Sequence, residues 1–372
     1  MGGSAFGAVL EAAVFPRIPP IVYNDLKARL FPKLAELYTW VGIPIEAPEK
    51  LNHGDLDFLV AAPKTQSAES LSHQMIKETL GATFMIPMEG NRTSNYAVPI
   101  SPGEWAPFGH SAEEDDKRSK VNDGQIFYQV DVHVCMDKDE WDRIMFYHSY
   151  GDLGMILGVV GRNAGLSFGS KGLKLPDPPY PPFDLSESFD DIIRFFGLSL
   201  STYDTGFKTK LAIFEWVATS RLFDAKRFRS EGSGFTKVKP ERKMYAEFVE
   251  WVGKQRNMSE CGQSQRLVLG ETQATVQVEA LVFFKKKEAY DALVLERSNR
   301  IRLKEIFSGS IVRDWADMGG YWKGVKLIMD EVRVRLGGEE GILTFLNKNG
   351  EQGLKDFVIQ VKEENKIQMW IL

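Results

Sequence analysis

Two segments of this chain alternate apolar and polar residues with a period of two, the mark of a half-buried strand. In His53-Gly54-Asp55-Leu56-Asp57-Phe58-Leu59-Val60 successive side chains point to opposite faces. Leu56, Phe58 and Val60 therefore share one side, and Asp55 and Asp57 share the other. From Ile126 to Cys135 the same rule gathers Ile126, Tyr128, Val130, Val132 and Val134 on an apolar face and leaves Asp131 and His133 opposite. Shorter runs at 39–45, 83–88 and 96–100 predict further strands, the last two around a polar hairpin at 89–92.

Helical spacing takes over elsewhere. Val22, Leu26, Leu30, Leu34 and Leu37 predict a helix over 21–38, which Pro32 should kink or divide. A helix over 68–80 has Gly81 as its stop, and helices follow at 139–148 and 152–164, with a hairpin at 166–175. Beyond it the pattern is helical at 190–196, 208–223, 241–255, a long stretch from 278 to 307, and 321–336 before Gly337-Gly338. Strands first and helices afterwards predict an α+β protein, with a mixed sheet flanked by helices leading into a mainly helical C-terminal domain.

Composition places the boundaries. Between 101 and 123 the chain turns polar around Glu113-Glu114-Asp115-Asp116-Lys117-Arg118, which predicts an exposed, mobile insertion. Lys174-Leu175-Pro176-Asp177-Pro178-Pro179-Tyr180-Pro181-Pro182 holds five prolines in nine residues, too many for a helix or a central strand. The expected division is thus a first domain at 1–175, a stiff linker at 176–184 and a helical domain at 185–372.

Bulk numbers narrow the field. The 372 residues suit roughly two domains, and 43% hydrophobic with 26% charged residues is ordinary for a globular chain. A net charge of −5 excludes a globally polycationic nucleic-acid binder, although 208–256 carries twelve Lys/Arg against six Asp/Glu. That excess fits either solvated helix faces or a phosphate-binding surface. Cys135 and Cys261 are the two cysteines, with no spacing for zinc or a disulfide scaffold. No run approaches 18 apolar residues, so the expected partners include no membrane and the expected location is cytoplasmic or nuclear.

Three carboxylates on neighbouring strands would be costly to hold together without divalent cations, and this is the equipment of phosphoryl or nucleotidyl transfer. The Gly54-Asp55-Leu56-Asp57 strand together with Val130-Asp131-Val132 resembles the polymerase-β-type nucleotidyltransferase superfamily. The resemblance covers roughly the first 175 residues. It implies that Asp55, Asp57 and Asp131 are catalytic and bind Mg2+ (or Mn2+), with Asp131 assisting the ion that activates the attacking hydroxyl. It further implies transfer of NMP from an NTP to a hydroxyl acceptor, an RNA end being one candidate.

One departure matters. The superfamily carries a Gly-Gly or Gly-Ser pair shortly before the acids, where backbone amides grip the triphosphate. Here the corresponding Val41-Gly42-Ile43-Pro44 lacks the second small residue, while Gly2-Gly3-Ser4 has the right chemistry some fifty residues earlier. Gly3 and Ser4, with Lys171 and Lys208 as cations, are the expected nucleotide-binding residues. Two alternatives stay open: a catalytically degenerate binding or scaffold protein of the same fold, and a metal-dependent glycosyltransferase. Gly165-Leu166-Ser167-Phe168-Gly169 matches a nucleophile elbow by letters, but it follows a helical rather than a strand pattern. The Arg313-Asp314-Trp315 and Tyr321-Trp322-Lys323 cluster fits core packing better than base stacking.

Overall fold

The computed structural model describes residues 5–11, 14–64, 71–88, 93–228, 242–261 and 272–367. The chain forms two compact units, Met1–Phe284 and Lys285–Leu372. The first begins with α1 (Pro20–Leu37), whose Pro20 pre-sets the first turn and whose Val22, Leu26, Leu30 and Leu34 are buried. Pro32 does not divide this helix. It lies on the exposed side, where water can serve the carbonyl that loses its partner.

Strands β1 (Tyr38–Gly42), β2 (Asp55–Pro63), β3 (Phe84–Ile86), β4 (Thr93–Pro99) and β5 (Phe127–Val134) form a mixed sheet in the order β1-β2-β5-β4-β3. The pairing of β2 with β5 is parallel, and the other pairs are antiparallel. Leu56, Phe58 and Val60 from β2 meet Val130 and Val132 from β5 in a core shared with α1. Helix α2 (His73–Leu80) covers the same side. Its Ser72 cap accepts the Met75 N–H, and Gly81 ends it in the left-handed region at φ 71°. The hairpin expected at 89–92 lies outside the described residues.

The polar stretch at 101–123 is built rather than loose. It folds into a short 3₁₀ turn and α3 (Ser111–Ser119), and Glu114 is fully buried. Glu114 accepts the backbone N–H groups of Gly103 at 2.9 Å and Trp105 at 2.8 Å, and the Arg118 Nε at 2.8 Å. Arg118 in turn donates to the carbonyls of Ile100 and Gly124. Two members of a charged run thus satisfy one another and the surrounding backbone, which composition cannot distinguish from solvation.

After β5 come α4 (Lys138–His148) and α5 (Leu153–Asn163), then a three-stranded meander of β6 (Ser167–Gly169), β7 (Gly172–Leu175) and β8 (Phe183–Ser186). Ser167 opens a strand that leads into a turn, so no nucleophile elbow forms. The proline-rich segment joins β7 to β8 inside the first unit. Helices α6 (Phe189–Phe195), α7 (Leu200–Thr205), α8 (Lys210–Ala218), α9 (Lys243–Cys261) and α10 (Gln273–Phe283) complete that unit.

The long helix expected over 278–307 is two helices. α10 stops at Phe283, Lys285 takes a left-handed φ of 57°, and α11 (Lys287–Ile306) starts the second unit. A non-glycine residue in that conformation cannot continue a right-handed helix. Among the described residues the second unit is all helical, with α12 (Gly309–Trp315), α13 (Trp322–Leu336) and α14 (Gly338–Glu364) around its own apolar core. Trp315 and Tyr321 pack against that core, whereas Trp322 is exposed beneath the Arg313 guanidinium.

Candidate active site

The parallel register of β2 and β5 sets Asp57 abreast of Asp131 and Asp55 abreast of Gln129. Alternation puts all four on the face opposite the Leu56–Phe58 core. One ligand atom each from Asp55, Asp57 and Asp131 lies within 4.8 Å of the others. These are hard oxygen donors with a separation suited to a shared divalent cation of the Mg2+ or Mn2+ type.

Electrostatics agree with that chemistry. Asp57 sits on the floor of an open cleft, surrounded by protein yet reached by solvent. Burial pushes its carboxyl up to about 8, with Asp55 and then Asp131 adding to the rise and Lys50 opposing it. Burial likewise raises Asp131 to about 6; a hydrogen bond from Asn95 opposes this, Asp55 adds to it, and Gln129 opposes it. Asn95 stands opposite Asp131 on β4 and donates to its Oδ1 at 2.6 Å. Gln129 donates to both Asp131 oxygens at 3.0 and 3.1 Å and accepts the Ala5 backbone N–H at 3.2 Å. A crowded acidic trio in which Asp57 and Asp131 hold their protons more tightly is what a positive ion would relieve.

His133 continues the polar face and pairs its Nδ1 with the Thr93 hydroxyl at 2.7 Å. His53, just ahead of the acidic strand, is buried and lies flat on Tyr23 with ring centroids 3.7 Å apart. Burial lowers its pKa to about 4, so it is a neutral aromatic element. Its backbone exchanges hydrogen bonds with Ile18, fixing where β2 begins.

A cleft of about 870 Å³ opens onto Asp55 and Asp57, within the usual size of a small-molecule site. One wall is the loop at 43–54, and the other is the starts of α8 and α9. Buried Asp152 holds the second wall by accepting from the Arg242 Nη1 at 2.9 Å and the Tyr245 N–H at 3.2 Å. Lys210 is paired with Glu247 across α8 and α9. Arg17, Lys50, Lys210, Arg242 and Lys243 bring positive charge to the cleft, beside Glu46, Glu49 and Glu247.

Of the expected nucleotide-binding residues, Lys171 and Lys208 are exposed and do not line this cleft, whereas Lys210, two residues further on at the start of α8, does. Gly3 and Ser4 lie outside the described residues. Gly42 serves packing: a Cβ there would sit 2.5 Å from the Trp141 ring and 2.3 Å from the Met145 methyl. Lys50, Arg242 and Lys243 escaped sequence reasoning because they flank helices and turns with no period to mark them; only the basic excess over 208–256 hinted at the last two.

No protein-family model matches the chain, and no curated protein matches it. The α+β fold, with its five-stranded mixed sheet and clustered aspartates, is consistent with a nucleotidyltransferase-like active site. Among the described residues no helix is long and apolar enough to cross a membrane.

Proposed function

We propose that this protein is a metal-dependent nucleotidyltransferase that moves NMP from an NTP to a hydroxyl acceptor, an RNA end being one candidate. The observation that carries this reading is the convergence of Asp55, Asp57 and Asp131 on one face of the sheet, with Asp55 and Asp57 opening onto a cleft whose walls bring several Lys and Arg side chains. When bound, Mg2+ or Mn2+ would supply Lewis-acid activation of the acceptor hydroxyl and neutralise charge on the pyrophosphate leaving group.

The chain's own residues divide the remaining work. Asp55 and Asp57 hold the nucleotide side of the site, and Asp131 holds the acceptor side. Lys50 and Lys243 have no ion-pair partner among the described residues, which leaves both side chains available to a triphosphate. Arg242 and Lys210 add positive charge while staying anchored to Asp152 and Glu247. Gly3 and Ser4 would offer backbone N–H groups to the phosphates. The next residue, Ala5, bonds to Gln129 beside Asp131, which supports this role.

The packing role of Gly42 favours a second reading, in which the fold binds nucleotide without turnover because the usual phosphate grip is gone. Thermal unfolding with Mg2+ and each of ATP, CTP, GTP and UTP, run beside a pyrophosphate-release assay, separates the two. Stabilisation with release supports the enzyme. Stabilisation without release with any acceptor supports the binding protein, and no response to any nucleotide sinks both.

A further inference from the structure

We infer that Gln129 couples the third carboxylate to the chain segment at 5–15, so that metal binding at Asp131 and docking of that segment depend on one another through a single buried amide. The inference rests on the metal-site reading proposed above. Gln129 is only 3% exposed, and its Nε2 donates to both Asp131 oxygens while its Oε1 accepts the Ala5 N–H. Chemistry fixes the orientation of this amide. Turned over, it would set its oxygen against a carboxylate and its NH2 against a backbone donor.

The neighbouring contacts make the segment's seat specific. Phe6 is 1% exposed and stacks on Phe15 with centroids 5.0 Å apart, and Phe15 packs on Phe127 at 6.2 Å. Phe127 lies two residues before Gln129 on β5, and therefore on the same face. The segment is pinned to that face twice, by an apolar contact at Phe127 and by a polar one at Gln129. Asn95 reaches the same carboxylate from β4. Orientation of Asp131 is thus shared by two amides, and coupling to the segment belongs to Gln129. Coupling of this kind is reciprocal: whatever factor the seated segment adds to metal affinity, the metal returns to the seating.

The test uses the full chain with Mn2+ as probe, following free Mn2+ by electron paramagnetic resonance and chymotryptic cleavage within 5–15. In the wild type, saturating Mn2+ slows that cleavage. Gln129→Met, of similar shape but without the amide, loses about tenfold in Mn2+ affinity, and Mn2+ no longer protects the segment even at saturation. Ala5→Pro lacks the donor at position 5 and touches no ligand, yet it loses several-fold in Mn2+ affinity. Asn95→Ala binds Mn2+ more weakly but keeps the protection once saturated. Circular dichroism checks each fold; should Gln129→Met fail to fold, Ala5→Pro decides. Wild-type affinity in both variants, or wild-type cleavage indifferent to Mn2+, overturns the coupling while leaving the metal site standing. A wild type that binds no Mn2+ overturns the metal site itself, and the coupling with it.

Discussion

Three carboxylates whose oxygens lie within 4.8 Å repel one another, and Asp57 on the cleft floor keeps its proton up to about pH 8. Its ordinary value is 3.8, so across this window the folded state binds the proton more tightly than the unfolded one. The stability this proton confers is complete below about pH 4 and is lost as pH rises through about 8. Calorimetry of the metal-free protein should show its unfolding midpoint falling from pH 6 to pH 9, with saturating Mg2+ flattening the slope. Apparent Mg2+ affinity should rise over the same range, because the ion must displace the proton. Asp57→Asn removes the repulsion: it is expected to abolish transfer while stabilising the metal-free protein at pH 9 by about 1–2 kcal/mol, after discounting for solvent in the open cleft. Retained pyrophosphate release in that variant would remove the catalytic assignment.

At the next scale, the outcome depends on what each element packs against. Glu114→Ala in α3 leaves the Arg118 guanidinium and two backbone N–H groups without their buried acceptor. Urea unfolding should show a loss of about 3 kcal/mol. Gly42→Ala on β1 drives a methyl into Trp141 and Met145, at a cost of about 1–3 kcal/mol. Nucleotide affinity should be unchanged; a large loss there would return β1 to the phosphate site. The strands carrying the three acids were legible because alternation with a buried face is a local signal. Their parallel pairing was not, since period-two alternation names a face and never a neighbour. The Glu114–Arg118 pair looked like surface because buried and solvated charges spell the same letters. Lys50 on one wall and the adjacent Arg242 and Lys243 on the other come from two distant places that only tertiary folding brings together. The break at Lys285 was hidden because the apolar spacing runs on through it.

For the molecule as a whole, the chain passes from the first compact unit to the second at a lysine run, Lys285-Lys286-Lys287. The second unit buries Val312, Ile328, Val332, Leu354, Val358 and Val361 within itself. Brief trypsin treatment should therefore cut first at this run and yield two resistant fragments on a gel; early cleavage inside 287–336 would argue against a self-contained second core. The aspartate trio has a consequence for how the chain reaches its native state. Asp55 and Asp57 lie far from Asp131 in sequence and meet it only when β5 slots in beside β2. A slip of one residue would turn Asp131 into the apolar layer and offer valine to the cleft instead. Under the metal-site reading proposed above, a divalent ion would bind only correctly paired chains, and so would act late in folding as a proofreader of the sheet.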